Sequence, residues 1–120
     1  MELSYEEILR KARSECDSFS LIWRDDFKFN ANAKRIEVEL QPYILKEERV
    51  KQWPGTELSK IAATCRTYRV NDTSISTLRS VPSVYHWRAP SYPEDLAFYN
   101  RGKVYFASIA HESESWFTEK

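Results

Sequence analysis

One stretch decides the fold of this chain: YPEDLAFYNRGKVYFASIAHE, residues 92–112, the densest apolar run of the sequence. The tripeptide Asn100-Arg101-Gly102 lies between two apolar strands, which predicts a β-hairpin with a three-residue loop and Gly102 in the left-handed conformation. In the register that follows, Phe98 faces Val104 and Leu96 faces Phe106, and both faces of the hairpin are apolar. Such a hairpin is expected near the centre of a sheet, with helices on one side and another layer, a partner or a ligand on the other.

Polar residues stand at both ends of this hairpin. Glu94 and Asp95 lead into it, and His111 and Glu112 follow it; carboxylates and imidazoles are the side chains of general acid–base chemistry. In the predicted register Asp95 lies opposite Ala107, which separates it from His111 by roughly 13 Å at ~3.3 Å per residue. We therefore expect the four polar residues to fasten the hairpin ends to neighbouring loops. A ligand-binding or catalytic pocket lined by them is the alternative.

The rest of the chain alternates predicted helices and strands. The S-x-x-E pattern of Ser4–Glu7 predicts a capping box. Asn30 and Asn32 are candidate N-caps of a second helix, and Asn71 or Asp72 is expected to cap a third. After Asn30, apolar and acidic residues also alternate between positions 36 and 40, which is a strand pattern, but the cap favours a helix. Strands are predicted at Phe19–Trp23, in the later part of Ile44–Trp53 as an edge strand, at Ile61–Val70 and at Ser115–Thr118. The pattern predicts a single α+β domain over residues 1–120, with an antiparallel sheet of about five or six strands and helices mainly on one face.

Composition narrows the class of partner. The chain has 18 Lys and Arg against 18 Asp and Glu, with a pI near 6.7; nucleic acids and anionic membranes demand a basic surface. We therefore expect neither as a partner. The N-terminus has no apolar run of the signal-peptide kind, and no segment predicts a membrane span, so a cytosolic location is expected. Cys16 and Cys65 are too few for a disulfide framework and are expected to be reduced, buried thiols.

No motif in the sequence specifies a reaction. His86 and His111 are the only histidines, and no cysteine or carboxylate stands at metal-ligand spacing from them. Phosphate-binding and dinucleotide-binding glycine patterns are absent from the sequence. We expect no metal and no cofactor, and we favour a protein that is not an enzyme.

The four tryptophans leave two interpretations open. They are either core aromatics whose N–H groups reach the surface, or anchors of a binding surface, where Trp and Arg are enriched. The second interpretation predicts a non-enzymatic module that binds another protein, of open oligomeric state. The candidate surface or pocket rim then comprises Trp23, Arg24, Trp53, His86, Trp87, Glu94, Asp95, His111, Glu112 and Trp116.

Three segments carry a resemblance to a known group. WPGT at residues 53–56, PEDLAFY at 93–99 and SIAHE at 108–112 resemble segments of a group of small uncharacterised bacterial proteins. Some of that group carry a stage III sporulation label, and others look like immunity-type proteins of bacterial toxin systems. The resemblance implies a bacterial, cytosolic, single-domain α+β protein, and we expect a binding module of immunity or regulatory type. It implies no catalytic residues.

Overall fold

Three helices and a six-stranded antiparallel sheet form the architecture of the computed structural model, which describes residues 3–24, 28–54, 56–57 and 63–118. The helices are α1 (Tyr5–Glu15), α2 (Ala31–Leu40) and α3 (Asp72–Arg79). The strands are β1 (Ser18–Arg24), β2 (Ile44–Val50), β3 (Gln52–Trp53), β4 (Thr56–Glu57), β5 (Ala63–Arg69), β6 (Glu94–Asn100), β7 (Lys103–Ile109) and β8 (Glu114–Phe117). The sheet order is β2-β5-β1-β6-β7-β8, and β3 and β4 pair separately as a small ribbon. The predicted α+β class is confirmed. Gly55 of the WPGT segment and Ile61 and Ala62 of the predicted strand lie outside the described residues.

The helix starts follow the predicted caps. Ser4 Oγ accepts from the backbone N–H of Glu7 at 3.1 Å, and the Glu7 carboxylate accepts from the Ser4 N–H at 2.8 Å. Asn30 Oδ1 accepts from the N–H of Asn32 at 3.0 Å and begins α2, so residues 31–40 form a helix rather than a strand. Val38, which fitted the strand pattern, lies on the outer face of α2 and is 73% exposed. Among the described residues no helix is long and apolar enough to cross a membrane.

The helices pack on one face of the sheet, as predicted. One cluster joins helix side chains to sheet side chains: Ile8, Leu9, Ala12, Ala33, Ile36, Leu40, Ile75 and Leu78 with Phe19, Leu21, Tyr68, Leu96, Phe98 and Phe106. Stacking of Phe19 on Tyr68, with ring centroids 5.1 Å apart, lies within this layer. A smaller cluster of Ile22, Trp53, Ala63 and Cys65 covers part of the opposite face. Apolar burial on both faces explains why the central strands carry so few polar residues.

The hairpin lies near the centre of the sheet, but its predicted register was wrong. Asn100 pairs with Lys103, which leaves a two-residue loop in which both Arg101 (φ 53°) and Gly102 (φ 82°) are left-handed. This is the geometry of a type I′ turn. A bulge in β7 then brings Phe98 opposite Phe106 rather than Val104. Each residue at the start of β6 therefore faces a residue further along β7 than the sequence predicted.

Candidate functional site

A β-bulge places two carboxylates at the start of β6. Opposite β1, Ser20 pairs with Ala97 and Ile22 pairs with Glu94, so β6 carries one residue more than β1 over this interval. Asp95 lies within the bulge with φ 57°, a left-handed conformation that Asp tolerates better than most residues. The bulge breaks the ordinary alternation of faces, and the side chains of both Glu94 and Asp95 are buried.

Asp95 joins two distant segments of the chain. Its Oδ2 accepts from the indole N–H of Trp53 at 2.8 Å, and its Oδ1 accepts from the backbone N–H of Ala110 at 3.0 Å. Trp53 follows β2, and Ala110 precedes β8. Burial raises the pKa of Asp95, while the two hydrogen bonds act in the opposite direction. Asp95 therefore anchors the connections that lead to both outer strands of the sheet.

Glu94 is held in the same manner. Arg24 Nη1 donates to its Oε1 at 3.3 Å, and the backbone N–H of Ala89 donates to its Oε2 at 3.3 Å. Burial raises the pKa of Glu94, and the neighbouring Asp95 carboxylate adds to that shift. All four oxygens of the two carboxylates thus accept hydrogen bonds within the protein. These bonds stabilise the entrance of the hairpin.

His111 and Glu112 lie exposed on a 3₁₀ turn, Ala110–Glu112. His111 Nε2 is 3.6 Å from a Glu112 carboxylate oxygen. In the observed register Asp95 contacts Ala110, the residue before His111. The predicted wide separation of Asp95 from the His111 end of the hairpin was therefore also wrong. The Asp95 oxygen on this side accepts from the Ala110 N–H, and the ion-pair contact of His111 is with Glu112.

Three of the four tryptophans, Trp23, Trp53 and Trp87, are buried, which favours core aromatics over the candidate binding surface for these three. The indole N–H of Trp23 donates to Tyr68 Oη at 3.0 Å, and that of Trp87 donates to Tyr5 Oη at 3.1 Å. Trp53 donates to Asp95, as described above. Each side chain is therefore a core aromatic whose polar atom has an internal partner. His86, by contrast, is exposed, and its Nδ1 lies 2.8 Å from Ser83 Oγ.

The fourth tryptophan belongs to an apolar surface that the sequence only partly revealed. We call it the edge surface. It consists of Leu3 and Ile8 from the N-terminal part of the chain and of Phe106, Trp116 and Phe117 from the C-terminal part. Leu3, Trp116 and Phe117 are 38%, 36% and 36% exposed. They border a groove of about 190 Å³, with Ile8 and Phe106 among its lining residues. Sequence reasoning identified Trp116 but missed Leu3 and Phe117; the aromatic pair in a terminal strand was the available signal.

The backbone of β8 is open on its outer side. The Thr118 N–H donates to the Tyr105 carbonyl, and Trp116 lies opposite Ala107. Antiparallel ladders alternate bonded and non-bonded pairs, so the N–H and C=O groups of Ser115 and Phe117 point away from β7. No other described strand pairs with that side of β8. Trp116 and Phe117 alternate, so the open edge carries one aromatic side chain on each face of the sheet.

The described residues also include two cysteines and potential metal ligands. Burial raises the pKa of the Cys16 thiol to about 12 and also raises that of Cys65, so both are protonated and poor nucleophiles at neutral pH. Within the described ranges, no group of three or more His, Cys, Asp or Glu side chains is arranged to hold a metal ion. Comparison of the chain with protein-family models, with curated proteins and with solved structures found no match.

Proposed function

We propose that this protein is a non-enzymatic protein-binding module, and that it binds an extended segment of another protein along the open edge of β8. One observation carries the proposal: an unpaired strand edge coincides with three large exposed apolar side chains, Leu3, Trp116 and Phe117. A free backbone edge supplies affinity through main-chain hydrogen bonds, and adjacent apolar pockets supply selectivity for side chains.

The chemistry of the edge surface defines the partner segment. The outward N–H and C=O groups of Ser115 and Phe117 match those of an added strand. Side chains on one face of that strand would enter the groove beside Phe117, and those on the other face would contact Trp116. Lys11 at the groove is already paired with Glu15 at 3.6 Å. The segment is therefore expected to be uncharged and apolar, with β-branched or aromatic residues at alternating positions.

The biological setting of this proposal comes from the resemblance of the three sequence segments. We place the protein in the bacterial cytosol, as a module of regulatory or immunity type whose partner is a second protein. A toxin-like reading frame beside the gene would support the immunity assignment. The carboxylates at the hairpin entrance support the non-enzymatic part, because their oxygens are engaged in structural hydrogen bonds.

Selection from a random-peptide display library provides a direct test. The selected peptides should be apolar and extended, and Trp116→Asp should weaken their binding at least tenfold, equivalent to about 1.4 kcal/mol. Leu45→Asp is the matched control, because Leu45 is an exposed apolar side chain on β2, the opposite edge. It should change the affinity by less than about twofold, which is a free-energy difference smaller than RT.

Two results would overturn the proposal. One is a set of peptides whose affinity responds to Leu45→Asp as strongly as to Trp116→Asp. The other is concentration-dependent self-association of the wild-type protein that Trp116→Asp abolishes, since the occupant of the edge would then be a second copy of the chain. Sedimentation velocity distinguishes this second result from binding of a foreign segment.

A further inference from the structure

A second groove, polar in character, lies between the start of α2 and residues 83–92. Its volume is about 590 Å³, and the lining residues that matter here are Asn32, Ser83, His86, Arg88, Ser91 and Tyr92. These side chains offer a guanidinium, an imidazole, an amide and three hydroxyls. No carboxylate is among the described residues that line it. As far as the described residues go, the groove therefore presents hydrogen-bond donors and the positive charge of Arg88, with no acid lining it.

Local hydrogen bonding orients the imidazole. Ser83 Oγ accepts from the Tyr85 N–H at 3.3 Å, and the same oxygen lies 2.8 Å from His86 Nδ1. The Ser83 hydroxyl keeps its proton and a second lone pair, so it donates to Nδ1 of one neutral tautomer and accepts from Nδ1–H of the cationic ring. In both of these arrangements the Nε2 atom of His86 carries a proton and is a donor.

Arg88 differs from the arginines that the structure pairs. Arg13 contacts Asp72 at 2.7 Å and Arg79 contacts Glu6 at 2.8 Å, whereas the exposed guanidinium of Arg88 has no ion-pair partner within the described ranges. Its backbone is fixed nevertheless: its N–H donates to the His86 carbonyl at 2.8 Å, and its carbonyl accepts from the Tyr92 N–H at 2.9 Å. An uncommitted guanidinium on a fixed backbone suits recognition of a planar or tetrahedral oxyanion.

We propose that this groove binds the oxyanion group of a small solute, with Arg88 as the bidentate donor and His86 Nε2 as a second donor. A phosphate group satisfies more of these donors than a carboxylate does, so phosphate should bind more tightly. The site is distinct from the edge surface, and the proposal does not depend on that surface binding a protein.

Titration of the ¹⁵N-labelled protein with inorganic phosphate at constant ionic strength tests the proposal. Saturable shifts are expected at Asn32 and residues 83–92, with a dissociation constant on the order of 1–10 mM, as suits an open site. Acetate in a parallel titration should give weaker shifts at the same amides. Arg88→Gln should weaken phosphate binding at least tenfold while preserving the rest of the spectrum, whereas Arg101→Gln in the hairpin loop should leave it unchanged.

The outcome that contradicts the site is equally specific. Linear, non-saturating shifts spread over basic residues throughout the chain would show non-specific ion association. Unchanged phosphate affinity in Arg88→Gln would also overturn the assignment. A loss of affinity in Arg101→Gln equal to that in Arg88→Gln would have the same meaning.

Discussion

The two edges of the sheet meet solvent with opposite chemistry. Along β2, four consecutive charged residues, Lys46 to Arg49, are exposed. Along β8 the exposed side chains include Trp116 and Phe117. Charged side chains on an edge strand discourage pairing with other chains, while exposed aromatic clusters mark interaction sites. One edge of the sheet is thus charged, which disfavours strand pairing, and the other is apolar and open to strand pairing. This difference supports binding at β8 more strongly than either edge does alone.

The two edges nevertheless share an anchor. Asp95 bonds to Trp53, which follows β2, and to Ala110, which precedes β8. A carboxylate in the middle of the sheet therefore positions the connections to both outer strands. The difference between the edges lies in their side chains rather than in how firmly each is attached.

Replacing Asp95 should produce the largest effect, because it acts on both edges. Asp95→Ala leaves the Trp53 indole N–H and the Ala110 N–H buried without an acceptor, and each such donor costs about 1–3 kcal/mol. We expect a loss of about 2–4 kcal/mol in the free energy of unfolding, measured by urea denaturation. Two results would contradict the shared anchor. One is a loss of amide protection in hydrogen exchange that is confined to one edge strand, and the other is a change below about 0.5 kcal/mol in the free energy of unfolding.

The pH dependence of Asp95→Asn sharpens this test. Burial raises the folded-state pKa of Asp95 above its ordinary value of 3.8. The native state therefore holds the proton more tightly than the unfolded chain, and the contribution of Asp95 to stability falls as pH rises from about 4 through the folded pKa. The amide introduced by Asp95→Asn does not titrate. The free energy of unfolding of the variant should therefore fall furthest below that of the wild type at low pH. The same comparison for Glu94→Gln should have the same sign.

Giving β8 a charge should make it resemble β2. Phe117 packs on Phe106 with ring centroids 4.9 Å apart and on Tyr105 at 5.7 Å, and aromatic pairs contribute about 0.5–1.5 kcal/mol each beyond burial. Phe117→Lys should lower stability by about 1–2 kcal/mol and abolish binding of edge-directed peptides. Phe117→Leu, which keeps an apolar side chain, is the control that should retain most of that binding. Equal affinity for the Lys and Leu variants would remove Phe117 from the binding surface.

Removing charge from β2 should have the smallest effect on stability. Lys46 and Glu48 form an exposed contact at 3.4 Å, and such pairs contribute about 0–1 kcal/mol. The double change Lys46→Val and Glu48→Val should shift stability by less than about 1 kcal/mol but allow self-association in sedimentation velocity. Lys34→Val on α2 adds the same side chain away from a strand edge and should remain monomeric. Absence of self-association in the β2 variant would mean that the charges do not prevent strand pairing at this edge.

Much of the architecture could be predicted from sequence because it rests on local signals. The Ser4–Glu7 capping box and Asn30 cap act within one helical turn, and each begins a helix where expected. The register of the hairpin failed at Arg101, which adopts a left-handed conformation although it is not glycine. Nothing in the sequence distinguishes a two-residue loop with two left-handed residues from a three-residue loop with one.

The candidate site was harder to predict because its contacts join residues far apart in the chain. Trp87 donates to Tyr5 across 82 positions, and Trp53 donates to Asp95 across 42. The sequence left these tryptophans open between core and binding surface, because it does not identify the oxygen atoms that accept from their buried N–H groups. The bulge at Asp95 likewise depends on pairing with β1 and has no local signal beyond the tolerance of Asp for positive φ.

Hydrogen exchange of β8 in the presence of a selected peptide tests the central claim most directly. The Ser115 and Phe117 amides point outward and should exchange quickly in the free protein, while the Trp116 amide, directed at β7, should exchange slowly. Bound peptide should slow Ser115 and Phe117 at least tenfold, leaving Trp116 and the amides of β2 unchanged. Protection that appears along β2, or a Ser115 and Phe117 exchange rate that saturating peptide does not alter, would contradict the account.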